Sequence, residues 1–285
     1  MANLKEIRNR ISSVQSTMQI TSAMKMVSAA KLKKAQDAIT AMRPYAEKLT
    51  EILQHLSSSI DTELAGAYTE QRDVNRVLLV VITSNRGLCG GFNANVIKET
   101  RLLLQKYQGK QVDLFCIGKK GHDTLKKSAQ VIANHSSVFD QLTFDHVATL
   151  AEDLMEKFTS GQYDKIELVY NQFKNAATQI VQTEDFLPLA PMKEVKVAPA
   201  DYIYEPSQEE IVLTLIPKSL KTQLYKAISD SFAAEHGARM TAMHKATDNA
   251  TALRNQLKLT YNKARQAAIT GEILEIVGGA EALNA

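Results

Sequence analysis

Glycine is missing from Ala2 to Ser59, and that stretch holds a single proline, Pro44. Leu220 to Val277 has no proline, and its only glycines are Gly237 and Gly271. Gly and Pro punctuate turns and loops, so neither end of the chain reads as a string of short elements. Cysteine is scarce as well. Cys89 and Cys116 stand far apart, form no CxxC pair and have no histidine cluster beside them, which excludes a disulfide framework and leaves two reduced, structural thiols. No run of about 18 apolar residues occurs, so no membrane-spanning helix is expected. Met1 to Arg10 is charged and lacks an apolar core, so no secretory signal is expected either.

What fills the glycine-poor ends is heptad periodicity. Counting sevens from Leu4 gives Leu4, Ile11, Met18, Lys25, Leu32, Ile39, Ala46 and Leu53. Ile7, Val14, Thr21, Ser28, Ala35, Met42, Leu49 and Leu56 interleave with them. This is the pattern of a coiled-coil strand, about 80 Å long at ~1.5 Å per residue, and a helix of that length is expected to protrude. Pro44 is expected to bend it. At the far end a three-four spacing runs through Ala246, Ala250, Leu253, Leu257, Thr260, Ala264, Ala267, Gly271 and Leu274. Its small residues predict a narrow seam packed on one partner, and the natural partner is the N-terminal helix.

Between the helices the pattern changes. Val77–Thr83, Gln111–Ile117 and Lys165–Tyr170 read as buried strands, with helices expected from Asn93 or Asn95 to about Tyr107, near His122–Lys127 and over Phe144–Thr159. Thr178–Leu187 reads as one more strand, antiparallel at an edge. Alternation of this kind predicts a parallel, Rossmann-like sheet. The fold class is therefore α/β: a long antiparallel coiled coil of N- and C-terminal helices plus a Rossmann-like domain. The expected segments are 1–58, 74–206 and 207–285, with Ser207 and Glu210 at capping-box spacing and a kink or break near Pro217.

The turn Ser84-Asn85-Arg86-Gly87-Leu88-Cys89-Gly90-Gly91 sits where nucleotide-binding proteins place a phosphate loop. It lacks both the GxGxxG spacing and the GKS/T ending, and Asp113 lies inside the second strand rather than at its end, so direct nucleotide binding is not expected. Gly118-Lys119-Lys120-Gly121 reads as a surface turn. The histidines form no HExxH or paired-ligand pattern, Glu152 and Asp153 are adjacent and point apart, and no nucleophile elbow occurs. No cofactor, no metal and no chemistry by this chain alone are expected.

Charge is distributed unevenly behind a net of +3. Positions 1–57 carry nine Lys and Arg against four acidic residues, and positions 217–270 carry nine against three, whereas positions 58–216 hold sixteen basic and twenty-one acidic side chains. Basic helices suit nucleic acid, but aromatics are not interleaved with the charges and no nucleic-acid motif occurs, so no nucleic-acid partner is expected. An acidic protein partner fits the same charge.

Several longer stretches carry a family likeness. The N-terminal one is Ile20-Thr21-Ser22-Ala23-Met24-Lys25-Met26-Val27-Ser28, followed by Lys31 and Arg43-Pro44-Tyr45. The C-terminal ones are Glu235-His236-Gly237-Ala238-Arg239-Met240, Ala246-Thr247-Asp248-Asn249-Ala250 and Tyr261-Asn262-Lys263-Ala264-Arg265-Gln266. Ile269-Thr270-Gly271-Glu272-Ile273-Leu274-Glu275-Ile276-Val277-Gly278-Gly279-Ala280 closes the chain with the spacing I-T-x-E-x-x-E-x-x-x-G-A. Taken together these resemble the γ subunits of bacterial F-type ATP synthases over essentially the whole chain.

The resemblance implies a non-catalytic rotor shaft, one copy inside a ring of three α and three β subunits, its foot on the membrane c-ring. It implies coupling of c-ring rotation to ATP synthesis and hydrolysis, regulation of ATPase activity and proton flow, and a peripheral place on the cytoplasmic face of the bacterial inner membrane. Arg265, Gln266, Thr270, Glu272 and Glu275 match the catch that hydrogen-bonds the catalytic ring. Met24, Lys25 and Arg239 match the part facing the lower β-subunit loops, with Lys25 standing where many relatives carry Glu. Ile273, Leu274, Ile276 and Val277 match an apolar bearing tip. Tyr202, Tyr204 and Glu205 match the c-ring foot, and the α/β domain matches the surface that binds the ε subunit. Two other classes stay open on the residues alone: a coiled-coil scaffold that does not rotate, and a small-molecule-binding α/β protein whose helices only oligomerise.

Overall fold

The computed structural model describes residues 4–57, 66–189 and 208–284. In chain order they form α1 (Leu4–Ser57), a single turn α2 (Gly66–Thr69), β1 (Arg76–Ile82), α3 (Phe92–Lys106), β2 (Gln111–Ile117), α4 (Lys119–Leu125), β3 (Gln130–Asn134), α5 (Phe144–Thr159), β4 (Lys165–Phe173), β5 (Gln179–Leu187) and α6 (Gln208–Asn284). The expected capping box at Ser207 and the expected foot residues Tyr202, Tyr204 and Glu205 lie outside the described residues. Two compact units emerge, one from residues 29–239 and one from residues 1–28 with 240–285. The sheet unit thus takes in parts of both long helices as well as the segment between them.

In the 29–239 unit the strands order β3-β2-β1-β4-β5, parallel throughout except for β5, which is antiparallel at the edge as its sequence predicts. β1 is buried along Val77–Ile82, the continuous apolar run that a strand covered on both faces requires. Leu78, Val80 and Ile82 face α5 and the lower part of α6 through Leu154, Phe158, Leu224 and Ile228, while Val77, Leu79 and Val81 face α3 through Val96 and Leu103. β3 was not expected from the sequence. It is five residues long with alternating half-burial, too short and too polar to stand out from a turn.

A carboxylate–tyrosine pair is buried near the start of the sheet on each face. Tyr163 donates to Asp113 at 2.9 Å on one, and Tyr107 donates to Glu167 at 2.6 Å on the other, where Lys165 bridges Glu167 and Asp185. Asp113 is therefore a structural acceptor inside β2. The turn at Gly118-Lys119-Lys120-Gly121 packs on Thr83. Gly118 has φ +113, and a Cβ there would lie 2.0 Å from the Thr83 carbonyl oxygen, so only glycine fits.

Pro217 does not break α6, which runs unbroken from Gln208 to Asn284. The expected interruption loses to packing: Ile216 and Leu220 on either side are buried in the sheet core, and their burial holds the helix through the missing N–H. Pro44 likewise lies inside α1.

In the unit made of residues 1–28 and 240–285, α1 and α6 run antiparallel. Arg8 meets Tyr261, Met18 meets Thr251 and Thr21 meets Thr247, so a step along one helix is matched, to within one residue, by a step back along the other. The α1 seam falls on the heptad columns its sequence shows, with Ile7 and Thr21 buried and Leu4, Ile11, Val14, Met18 and Lys25 half-buried. On α6 one column agrees with the sequence reading, through Ala250, Leu257, Ala264 and Gly271. The other is corrected by one residue. Thr247, Arg254, Tyr261 and Ala268 turn inward, while Leu253, Thr260, Ala267 and Leu274 are exposed. A three-four spacing traced through apolar and small residues takes in Leu253 and Thr260 and passes over Arg254 and Tyr261. Arginine and tyrosine, however, bury their stems in a seam and carry their polar ends out of it.

Candidate interaction surface

Extending the pairing register from Arg8 and Tyr261 places Leu4, the first described residue of α1, opposite Arg265. Beyond that point α1 has no described residue left to offer. From Gln266 to Asn284, about 28 Å at ~1.5 Å per residue, α6 runs on past it. The residues matched to the catch fall in or at the start of this overrun, and Arg265, Gln266, Thr270, Glu272 and Glu275 are all exposed. So are the tip residues, Ile273 at 54%, Leu274 at 66%, Ile276 at 71% and Val277 at 52%. Four large apolar side chains left in water on a single helix mark a surface that something else covers.

Met24 and Lys25 are half-buried on α1, beside exposed Met26 and Val27. Arg239 belongs to α6 in the 29–239 unit. It is buried, and its guanidinium is committed inside the chain: Nη1 lies 2.6 Å from the Glu235 carboxylate, and Nη2 donates to the carbonyls of Arg86 at 3.0 Å and Gly87 at 3.3 Å. Those carbonyls belong to the turn that holds the phosphate-loop position. A phosphate would need N–H donors there, and the turn instead presents acceptors to a cation. The rest of the turn is tied down through Ser84, which donates from its amide to Asn93 Oδ1 at 3.0 Å and from its hydroxyl to the Arg86 carbonyl at 2.6 Å.

The ligand crevice of a doubly wound sheet lies at the carboxyl ends of the strands where the winding reverses, here between β1 and β4. The Ala234–Arg239 segment of α6 occupies it. Ala234 and Ala238 pack on Cys89, Phe92 and Phe173, and a Cβ on Gly237 would come within 3.2 Å of the Ala176 backbone. Small residues at 234, 237 and 238 are what let the helix lie this close.

The electrostatics of the crevice follow from its dryness. Burial pushes the Glu235 carboxyl upward, outweighing the pull of Arg239, Lys31 and Arg86. Burial, then Arg239 and Lys31, drive His236 down to about 3, so its imidazole is neutral. Because arginine only donates, the 3.4 Å contact from Arg239 Nη1 makes His236 Nδ1 an acceptor and leaves the ring proton on Nε2. Phe232 packs edge-on against that ring at 4.5 Å. Cys89 and Cys116 are free and buried, and burial raises both thiols, Cys116 to about 12, as structural cysteines require.

Arg8 and Tyr261 are cross-helix partners that the sequence reading did not single out. Nothing in local spacing links residues 253 positions apart; the only signal was an aromatic side chain at a place where small residues otherwise line the seam. Among the described residues no group of histidine, cysteine and carboxylate side chains is arranged to hold a metal, and no helix is long and apolar enough to cross a membrane.

A paired antiparallel coil and a Rossmann-like sheet whose ligand crevice holds the chain's own helix define a stalk-type protein. Known proteins agree. A family model described as ATP synthase matches residues 3–283. The ATP synthase gamma chain of Flavobacterium johnsoniae is 77% identical over 285 residues, covering all of both chains, and that of Christiangramia forsetii is 61% identical with the same coverage. Among solved structures, a chain of the Tetrahymena thermophila mitochondrial ATP synthase central stalk and c-ring is 28% identical, with TM-score 0.58 over 80% of this chain and 99% of that one. A chain of the Euglena gracilis mitochondrial ATP synthase, at 22% identity, shares the fold with TM-score 0.69 over 98% of this chain and 94% of that one. The chain belongs to the ATP synthase gamma chain family.

Proposed function

We propose that this chain is the rotating central shaft of a bacterial F-type synthase, coupling ion-driven rotation of a c-ring to the catalytic sites of a ring of three α and three β subunits. It carries out no bond chemistry itself, and it sits peripherally on the cytoplasmic face of the inner membrane. The observation that carries the reading is the overrun of α6 beyond α1, with exposed polar residues from Arg265 to Glu275 and exposed Ile273, Leu274, Ile276 and Val277. A greasy end turns in an apolar collar without directional bonds, while the polar residues just below it make and break hydrogen bonds with successive subunits. Each shaft orientation then favours a different conformation in each catalytic subunit, which is population shift by differential contact.

In this reading Met24 and Lys25 face the lower β-subunit loops, and Arg239 serves them indirectly, by bracing the Arg86-Gly87 turn. The α/β unit takes the ε subunit and modulates ATPase activity, and Tyr202, Tyr204 and Glu205 stand on the c-ring. Co-expression with matching α and β subunits tests the proposal by native mass spectrometry and ATPase assay. One copy per hexameric ring with turnover dependent on it is expected; three symmetric copies, or turnover indifferent to the chain, overturn it. Replacing Arg265 and Gln266 by Ala is expected to lower coupling by about tenfold, the loss of one or two charge-assisted hydrogen bonds, with the chain still folded.

A further inference from the structure

We infer that the contact between Arg8 and Tyr261 is a positioning clasp, which sets the rotation of α6 about its own axis just below Arg265 and Gln266. The inference rests on the shaft reading and adds two positioning residues to it. Arg8 Nη2 donates to the Tyr261 hydroxyl at 2.9 Å, and the same guanidinium lies 5.8 Å from the centre of the tyrosine ring. One cation thus holds both the face and the tip of one side chain, so the ring cannot swing without losing a contact.

The position of this contact along the helix gives it its consequence. Tyr261 belongs to the inward column of α6, and the inward residues after it are Ala264, Ala268 and Gly271. None of these carries a group that α1 can hold, and a seam of alanine and glycine resists rolling only weakly. Among the described residues Tyr261 is the inward side chain of α6 nearest Arg265 for which a hydrogen bond to α1 is seen. Arg265 follows four residues later, about 40° around the helix and about 6 Å along it. A roll of ~10° carries an extended arginine head by about 1 Å, enough to spoil a hydrogen bond that must form within about 0.5 Å of its productive geometry. Arg8 is exposed, and exposed pairs add little to folding, so the effect of this one lies in geometry.

Tyr261→Phe keeps the ring in the seam and removes only the hydroxyl, and Arg8→Gln keeps the reach and removes the charge. The measurement is ion pumping per ATP hydrolysed in membrane vesicles carrying the complete synthase, alongside assembled amount and melting temperature. Each variant is expected to lower the pumping ratio about threefold, and the double variant by no more than either alone, with assembly and melting unchanged. Exchanging the pair, Arg8→Tyr with Tyr261→Arg, is expected to recover part of the ratio. Should Tyr261→Phe fail to assemble, Arg8→Gln on the exposed side carries the test alone. Unchanged pumping in these variants while Arg265→Ala with Gln266→Ala lowers it overturns the clasp and leaves the shaft reading standing. Additive losses in the double variant also overturn it. If the Arg265 and Gln266 replacements are silent too, the shaft reading and the clasp fall together.

Discussion

Thr21 and Thr247 bring their hydroxyl oxygens within 2.8 Å of each other in the seam between α1 and α6. Each also lies within reach of a carbonyl one turn back on its own helix, Met18 for Thr21 and Met243 for Thr247, so one hydroxyl donates across the seam while the other donates to its own helix. A hydroxyl pair in the seam favours one register, because sliding by one turn breaks the hydrogen bond between the two side chains. Thr21→Val is expected to cost about 1 kcal/mol, and Thr21→Val with Thr247→Val less than the sum of the two single changes, since an apolar pair strands nothing. Urea unfolding of the three variants measures it.

Arg239 is the cation on which both Glu235 and the Arg86-Gly87 turn depend. Arg239→Met is expected to destabilise by about 3 kcal/mol or more, because it leaves a buried carboxylate without its cation and the Gly87 carbonyl without its donor, while Ser84 still donates to the Arg86 carbonyl. Adding Glu235→Gln to that variant is expected to restore part of the loss by removing the stranded charge. Denaturant midpoints give the comparison, and a single variant as stable as the parent would show that water replaces the arginine.

His236 makes stability fall in mild acid. In the unfolded chain its imidazole titrates at the ordinary value of 6.5, whereas in the folded chain it does so at about 3. As pH drops through that window the unfolded state takes up a proton that the folded state refuses, so stability declines on acidification and is unaffected by this group above 6.5. His236→Gln is expected to shallow the decline between pH 6 and 4 relative to the parent. Thermal melts across that range decide it; curves of equal slope would place the acid sensitivity in the carboxylates.

Much of this architecture is legible in the residues because it rests on periodicity. The heptad columns of α1 reappear as its buried stripe from Ile7 through Leu49, and Gln111–Ile117 and Phe144–Thr159 form the elements their patterns predict. What is not legible depends on partners distant in sequence. Arg254 and Tyr261 look like solvent residues until α1 lies against them, and Arg239 looks like a free basic side chain until the Arg86-Gly87 turn is folded beneath it. Pro217 reads as a stop because a proline's own cost is visible in the sequence, while the burial of Ile216 and Leu220 that offsets it is not.

The crevice between β1 and β4 also bears on pharmacology. A small molecule aimed at it would compete with an occupant tethered by the same backbone, present at an effective concentration on the order of millimolar or more. Compounds of ordinary micromolar affinity for such clefts would therefore be excluded. Screening against this chain is better directed at the exposed end of α6, where no segment of the described chain competes.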